Sequence, residues 1–358
     1  MGTMMDQADL AQKIKTWGRA LGFQDLGIAD LDLAQAEARL TTWLAQGFHG
    51  SMGYMAKHGF KRSRPALLEP GTASVIVARM DYLSVSHAHM EATLADSKQA
   101  YISCYALGRD YHKVLRKRLQ RLATQIAETV GPFGYRVFVD SAPVLEKPLA
   151  VKAGLGWIGK HTNLIHRSSG SWFFLGEIYV DLALPSDHTS AAHCGNCQAC
   201  MDVCPTQAII APYQLDARLC ISYLTIELKT AIPVELRPAI GNRIYGCDDC
   251  QLVCPWNRFA QLNQDEQDFH PRQRLHQRQL LQVFQWDEAT FLKKTEGSAI
   301  RRIGHAQWLR NIAVALGNSD YDNHTMSVLE SRLRTDHELV KEHVLWALQR
   351  LKQQSKSR

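Results

Sequence analysis

The sequence has no apolar run of the roughly 18 residues that a membrane-spanning helix needs. The first ten residues, MGTMMDQADL, contain Asp6 and Asp9 and no apolar centre, so we expect no secretory signal peptide there. The net charge is only +6, from 41 Lys and Arg against 35 Asp and Glu, which permits a phosphate-bearing partner without requiring one. These features predict a cytoplasmic protein with no membrane partner.

The sequence also lacks a convincing fingerprint for binding a nicotinamide dinucleotide. The glycines of GLGWIG at 154–159 do not follow a strand as a dinucleotide fingerprint does, and the acid about 20 residues further on, Glu177, lies inside a strand-like run. The chain also lacks the regular strand–helix–strand alternation of a doubly wound sheet. Helical spacing at 6–22, Ala34–Gln46 and Tyr111–Glu128, with strand patterns at Ser74–Leu83 and 134–140, instead predicts an α+β fold.

Cysteine is scarce, with nine residues in 358, but it is clustered. The stretch CGNCQACMDVCP at 194–205 reads C-x-x-C-x-x-C-x-x-x-C-P, the run with which bacterial ferredoxins hold 4Fe–4S clusters. In such proteins the fourth cysteine of a run ligates the other cluster. The second run, CDDCQLVCP at 247–255, lacks one cysteine, and Cys220 between the runs can supply it.

The spacing therefore predicts two 4Fe–4S clusters with crossed ligands. Disulfides are disfavoured because cytosolic thiols stay reduced, and structural zinc does not require this register. The first cluster would take Cys194, Cys197, Cys200 and Cys254, and the second would take Cys204, Cys220, Cys247 and Cys250.

Three segments are predicted. An α+β domain covers 1–185, a ferredoxin-like module with both clusters covers 186–258, and a helical region covers 259–358. Helices near Ala306–Leu316, Thr325–Leu333 and His337–Leu351 resemble a HEAT-type unit, although a generic helical cap is an equal interpretation. Clusters alone only pass electrons, so the first domain should contain the chemistry.

The first domain offers few candidates from pattern alone. Cys104 belongs to neither cluster set and is most simply a small buried hydrophobe. Asp140 follows a strand, where an aspartate often caps a turn. Lys160 and His161 lie in a glycine-rich turn. The basic face of the helix at 113–121 is either a solvated surface or a phosphate contact.

Five stretches resemble the epoxyqueuosine reductases, which complete the queuosine base of tRNA. They occur in the order of that family and are YISCYALGRDYHKVLRKRL at 101–119, FVDSAPVLEKPLAVKAGLGWIGKHTNLI at 138–165, CGNCQACMDVCPTQAI at 194–209, RLCISYLTIE at 218–227 and GNRIYGCDDCQLVCPWN at 241–257. The resemblance implies a cobalamin in the first domain, which is similar to the corrinoid domain of reductive dehalogenases, and two 4Fe–4S clusters that feed it.

The resemblance also implies site residues. Asp140 matches the family's proton donor, for which we expect a pKa raised by burial. The D-x-H-x-x-G signature is absent, so no histidine of that motif should ligate cobalt. The residues that match corrin-contacting regions are Arg62, Cys104, Asp140, Lys160, His161, Thr162, Asn163, Ser222, Cys247 and Asp248.

The implied reaction reduces the epoxide of epoxyqueuosine to queuosine at the wobble position of the tRNA anticodon loop. We expect Lys229 and Arg243, beside the cluster motifs, to contact the RNA. An external low-potential electron donor is required, and a monomer is expected. The alternatives are a corrinoid reductive dehalogenase-like enzyme acting on a small molecule and a ferredoxin-like electron-transfer protein.

Overall fold

The structure is a computed structural model that describes residues 6–356. At its centre lies a four-stranded antiparallel sheet, whose strands are, in order across the sheet, Asp25–Ala29, Ser74–Asp81, Phe173–Val180 and Tyr135–Phe138. The two central strands carry the sequences SVIVARMD and FFLGEIYV, whose apolar runs suit strands covered on both faces. The strands are β1 (Asp25–Ala29), β2 (Ser74–Asp81), β3 (Tyr101–Ile102), β4 (Tyr135–Phe138), β5 (Trp157–Ile158), β6 (Leu164–Ile165), β7 (Phe173–Val180), β8 (Ile209–Ala211), β9 (Gln214–Leu215) and β10 (Arg243–Tyr245).

Helices cover the sheet and form the whole C-terminal region. They are α1 (Gln7–Ala20), α2 (Ala34–Ala45), α3 (Tyr54–Lys57), α4 (Pro65–Leu68), α5 (His87–Ala95), α6 (Tyr111–Val130), α7 (Glu146–Lys152), α8 (Ala199–Asp202), α9 (Arg237–Ile240), α10 (Asp249–Leu252), α11 (Leu280–Phe284), α12 (Glu288–Lys294), α13 (Gly304–Gly317), α14 (Asn323–Arg332) and α15 (Glu338–Lys356). A single π-helical turn spans Tyr223–Glu227. Within 6–356 no helix is both long and apolar enough to cross a bilayer.

The observed elements agree with the predicted mixed fold. The predicted helices appear as α1, α2 and α6, the buried strand as β2, and the C-terminal helices as α13 to α15. Helices α11 and α12 were not predicted. The HEAT-type interpretation and the three domain boundaries remain predictions.

One continuous apolar core joins the beginning and the end of the chain. It contains Leu10 of α1, Leu115 of α6 and Ile178 of β7 together with Leu309 of α13 and Leu351 of α15. Because these residues form one cluster, the C-terminal helices are part of the folded core, and burial of their apolar side chains stabilises both ends together.

Helix α7 lies directly on the sheet. A Cβ atom at Gly27 of β1 would come within 1.9 Å of the Ala153 carbonyl oxygen, so only glycine permits this approach. The start of α7, where Glu146 and Lys147 lie, is tied to the segment after β4, because Glu146 Oε1 accepts the Asp140 backbone N–H over 2.6 Å. This is the edge of the sheet on which the polar side chains of the site assemble.

Candidate functional site

The eight clustered cysteines line two separate cavities. The first, which we call the outer cavity, has a volume of about 1110 Å³ and is lined by Cys194, Cys197, Cys200 and Cys254. The second, the inner cavity, has a volume of about 400 Å³ and is lined by Cys204, Cys220, Cys247 and Cys250. The folded chain thus brings together the same two sets of four that the spacing predicts.

The inner cavity adjoins a third space, which we call the side chamber, of about 540 Å³. Three residues, Asp140, Glu146 and Lys147, line both spaces. Lys147 donates from Nζ to the Thr162 carbonyl oxygen over 2.9 Å, which ties α7 to the turn between β5 and β6. An acidic and hydrogen-bonded wall therefore separates the second cysteine set from the side chamber.

Asp140 sits on this wall in a left-handed backbone conformation, with φ of 45°. Such a conformation in a non-glycine residue is strained and is typical of functional sites. The Tyr111 hydroxyl donates to Asp140 Oδ2 over 2.5 Å, and His112 Nε2 lies 3.0 Å from the same oxygen. Burial opposes ionisation, but these two hydrogen bonds outweigh it and hold the pKa of Asp140 below its usual value. The raised pKa expected for Asp140 depends on burial against the corrin and remains a prediction, and the protein alone gives the opposite direction.

His112, which contacts Asp140, is the protonated member of this pair. His112 lies between two carboxylates, with Nδ1 2.7 Å from Asp110 and Nε2 3.0 Å from Asp140. Burial alone would lower the pKa of His112, but the hydrogen bonds to Asp110 and Asp140 raise it to about 9. At neutral pH the ring is therefore an imidazolium in contact with Asp140.

Two further acidic residues, Glu146 and Glu177, belong to this group of titratable side chains. Glu146 Oε1 accepts the Asp140 backbone N–H over 2.6 Å, and burial together with the Asp140 charge raises the pKa of Glu146 to about 8. Glu177 of β7 is fully buried, and neither of its carboxyl oxygens has a hydrogen-bond partner among the described residues. Burial raises the pKa of Glu177 well above its usual value. Burial thus favours the protonated form of both acids.

The turn from His161 to Asn163 contributes to the inner cavity, as predicted. Thr162 has φ of 69°, a second strained position. His161 Nδ1 accepts the Asn163 N–H over 3.1 Å, so the ring proton resides on Nε2, which has no partner in the described chain. Burial lowers the pKa of His161 to about 4 and keeps the ring neutral. The site thus holds a buried N–H donor without an acceptor.

Of the other predicted corrin contacts, most reach one of the spaces beside Asp140. Ser222, Cys247 and Asp248 line the inner cavity, and Arg62 lines the side chamber, where it donates to the Tyr54 carbonyl oxygen over 3.0 Å. The Arg62 Nε has no partner within 6–356.

Two residues predicted to contact the corrin line neither the inner cavity nor the side chamber, and their corrin contacts remain predictions. Cys104 is packed in the apolar core and lines none of these spaces, because its side chain points toward Ser84. Lys160 lines the outer cavity instead, where Nζ donates to the carbonyl oxygens of Gly195 and Cys197 over 2.7 and 2.9 Å. Lys160 therefore braces the first cysteine loop.

Asp248 proves to be a structural anchor. Its buried carboxylate accepts hydrogen bonds from the Tyr101 hydroxyl at 2.9 Å, the Ser103 hydroxyl at 2.6 Å and the Cys104 N–H at 2.8 Å. Burial raises its pKa, and these donors oppose that shift. Because Asp248 lies between Cys247 and Asp249, the second cysteine run is tied directly to β3 and the turn after it.

The two predicted RNA contacts differ in accessibility. Arg243 forms a bidentate ion pair with Asp249 and donates to the Ile240 carbonyl oxygen, and its side chain is only 12% exposed. Its guanidinium is thus engaged within the protein, and its contact with RNA remains a prediction. Lys229 is exposed, although Nζ donates to Gln307 Oε1 over 3.0 Å.

Sequence reasoning missed several residues that shape the site. Tyr111 and His112 lie in RDYHK, and Glu146 lies in VLEK, both within the stretches that carry the family resemblance. Their pairing with Asp140 spans up to 29 positions and could not be read locally. Arg302, which pairs with Glu227 at the side chamber, comes from the C-terminal region, for which no sequence signal existed.

The comparisons with known proteins agree with this site. Residues 193–257 match the model of the 4Fe-4S double cluster binding domain, and residues 62–141 match the model described as epoxyqueuosine reductase QueG, DUF1730. The chain is 58% identical over 346 residues to the epoxyqueuosine reductase of Pseudomonas aeruginosa, covering 96% of this chain and 95% of that protein.

Two solved structures are similar as well. The epoxyqueuosine reductase of Streptococcus thermophilus has a TM-score of 0.85 at 26% identity, covering 96% of this chain and 90% of the other. An epoxyqueuosine reductase solved with an epoxyqueuosine-modified tRNA-Tyr stem loop has a TM-score of 0.86 at 24% identity, covering 97% and 91%. The fold, the double-cluster domain and the relatives define an iron–sulfur oxidoreductase. The chain belongs to the epoxyqueuosine reductase family.

The anchoring role of Asp248 predicts the effect of an isosteric change. In Asp248→Asn, one side-chain oxygen becomes an NH₂ group that faces the Tyr101 hydroxyl or the Ser103 hydroxyl, which are both donors at present. We expect a loss of about 1–3 kcal/mol in the free energy of unfolding, measured by chemical denaturation of the cluster-free protein. Asp202→Asn, an exposed change in α8, is the matched control and should leave stability unchanged. Equal stability of both variants would contradict the anchoring role.

Proposed function

We propose that this chain reduces the epoxide of epoxyqueuosine to queuosine at the wobble position of tRNA. The observation that carries the proposal is the position of Asp140, on the wall shared by the side chamber and the cavity of the second cysteine set. The near full-length relationship to an epoxyqueuosine reductase at 58% identity supports the same activity. The conversion consumes two electrons and two protons and releases water.

The two cysteine sets are proposed to hold the two 4Fe–4S clusters in the crossed arrangement. The match to a double-cluster domain and the separation of the eight thiols into two cavities support this assignment. When bound, such clusters supply single electrons at potentials that extend well below −400 mV. The chain's contribution is to fix the thiols and to brace their loops through Lys160 and Asp248.

A cobalamin is proposed between the second cysteine set, whose own cluster takes the thiol end of the inner cavity, and the side chamber. The residues along this path suit a macrocycle with amide side arms, since they join the aromatic rings of Tyr111 and Phe174 with the Ser222 hydroxyl and the Asn163 amide. The unpartnered Nε2–H of His161 would suit an amide oxygen. Reduced cobalt, when bound, supplies electrons to a strained carbon–oxygen bond.

Proton delivery to the epoxide oxygen is assigned to Asp140 and His112 acting together. An alkoxide is a poor leaving group, so the oxygen must gain a proton as the bond breaks. His112 stores that proton near neutral pH, and Asp140, 3.0 Å from His112 Nε2, lies on the wall of the side chamber and can pass it on. Tyr111 orients the carboxylate through its 2.5 Å hydrogen bond and stacks on Phe174 at 4.1 Å.

The side chamber is proposed to receive the modified base. Its lining includes Tyr54, Glu227 and Arg302, which offer an aromatic face and charged hydrogen-bonding groups to a base turned out of the anticodon loop.

Helix α6 begins beside this chamber with Tyr111 and His112. Its exposed cations, Lys113, Arg116, Lys117 and Arg121, would contact the phosphates, and the exposed Lys229 remains a candidate. Action as a cytoplasmic monomer and a HEAT-type tail remain part of the proposal.

The crossed cluster assignment predicts different outcomes for two cysteine substitutions. Cys220→Ser should damage the second cluster and leave the first readable by electron paramagnetic resonance, because Cys220 lines only the inner cavity. Cys104→Ser is the matched control and should keep the full iron and sulfide content. The assignment would be refuted by a Cys220→Ser protein that retains all of its iron.

The proton-donor role predicts the behaviour of Asp140→Asn. The variant should keep both clusters and bind tRNA normally, yet lose most epoxide reduction, by roughly 10²–10⁴-fold for a lost general acid. Single-turnover conversion, followed by mass spectrometry of digested tRNA, measures the effect. Ser141→Ala, next along the chain, is the control. Unimpaired turnover in Asp140→Asn would remove Asp140 from the mechanism.

The pairing with His112 predicts the alkaline limb of the pH profile. Because the pKa of His112 is raised to about 9, the pair holds a transferable proton below that pH and loses it above. Turnover should therefore fall as pH rises through about 9. In His112→Asn, turnover should be low throughout and this limb should disappear. An unchanged limb in the variant would assign it to another group, with Glu146 as the next candidate.

A further inference from the structure

The two cysteine sets differ in their access to solvent. In the outer cavity Cys197 is exposed and Cys194 is half-buried, and the lining includes the exposed residues Arg167, Ser168 and Gln261. The second set instead shares its cavity with Tyr111 and Asp140. The first set therefore lies on the solvent side of the module, and the second lies on the side of the reaction.

The outer cavity is rimmed by positive charge. Arg167 and Arg258 are exposed, and neither forms an ion pair with any residue of 6–356. Lys160 lies deeper, and the rings of His166 and His193 also line the cavity. The described lining contains no Asp or Glu side chain. Two unpaired guanidinium groups above four thiols form a local positive field on a surface that is otherwise only mildly basic.

An aromatic surface accompanies these cations. Trp256 packs edge-on against the buried Trp157 with ring centres 5.0 Å apart, and Phe259 lies 6.0 Å from Trp256. Phe259 is 39% exposed, and the Arg258 guanidinium lies 4.6 Å from the centre of its ring. Protein interfaces are enriched in aromatic residues and arginine in this kind of arrangement.

We propose that the outer rim, formed by Arg167, His193, Trp256, Arg258 and Phe259, is the docking surface for a small acidic protein that carries one electron at low potential. The proposal rests on the function proposed above and names where its electrons enter. Each docking event oxidises one carrier by one electron, so two events supply the two electrons that one epoxide consumes. The two protons come from the Asp140 side and from solvent.

An RNA partner fits this rim less well. The outer cavity and the side chamber share no lining residue, and the base must reach Asp140 through the side chamber. The exposed cations of α6 start beside that chamber, whereas Arg167 follows β6 and Arg258 follows the second cysteine run. Separate surfaces would allow the carrier to exchange while the tRNA stays bound.

The test uses the cluster-loaded protein and an acidic plant-type ferredoxin as the probe. In the double variant Arg167→Glu and Arg258→Glu, binding measured by calorimetry at low ionic strength should weaken by about tenfold or more, because like charges then face each other. Binding to the unmodified protein should weaken as salt rises, and the variant should lose most of that dependence. Electron entry from reduced ferredoxin, followed by bleaching of cluster absorbance, should slow in parallel.

Two controls keep the outcomes distinct. Lys293→Glu with Arg334→Glu makes the same charge change on exposed positions of the C-terminal region and should bind ferredoxin normally. Dithionite, which needs no protein docking surface, should reduce the clusters of every variant to the same final extent. The neutral pair Arg167→Gln and Arg258→Gln should give an intermediate loss of binding.

The proposal is overturned if the charge-reversed rim binds ferredoxin as the control pair does. It is equally overturned if the rim variant loses tRNA affinity and keeps ferredoxin affinity, since the rim would then be an RNA surface. A failure of the proposed function is seen separately, as an unmodified protein that is reduced by dithionite and still leaves epoxyqueuosine in tRNA unchanged.

Discussion

A buried carboxylate joins the two halves of this site. Asp248 stands inside the second cysteine run, and its three hydrogen bonds from the segment at Tyr101 to Cys104 fix that run against the first part of the chain. A buried carboxylate keeps its charge only when its oxygens accept hydrogen bonds, so moving either side would leave the Asp248 carboxylate buried without its donors. The distance from the second thiol set to Asp140 is thereby set by the fold and not by a flexible linker.

The balance between burial and hydrogen bonding also decides which of the acidic residues beside the cavity are ionised. Asp140, Glu146 and Glu177 occupy one edge of the sheet, and mutual repulsion with burial prevents all three from ionising together. Asp140 keeps the charge because Tyr111 and His112 donate to it, whereas burial favours the protonated forms of Glu146 and Glu177. The site therefore stores protons beside an ionised acid, an arrangement suited to a reaction that consumes two.

Sequence reasoning succeeded where the chemistry is local and failed where the partner is distant. The two thiol sets were predictable because ligation imposes a strict spacing, and the fold places Cys220 with Cys204 as that logic requires. The pKa of Asp140 was not predictable, since its hydrogen-bond partners lie 28 and 29 positions away. The ion pair of Arg243 was not predicted either, because closeness to a cluster motif does not reveal that a carboxylate six residues on, Asp249, binds the guanidinium.

The C-terminal helices belong to the site and are more than a tail. Arg310 of α13 is fully buried, and it donates to the carbonyl oxygens of Leu224, Leu228 and Thr230. Its cation thus satisfies the backbone at both ends of the π-helical turn, a distorted element of the kind that often marks functional sites. That turn presents Glu227 to the side chamber, where Arg302 pairs with it. Because Arg302 lines the chamber and Arg310 supports the turn that carries Glu227, loss of the helical region would alter the chamber even if its surface never touched RNA.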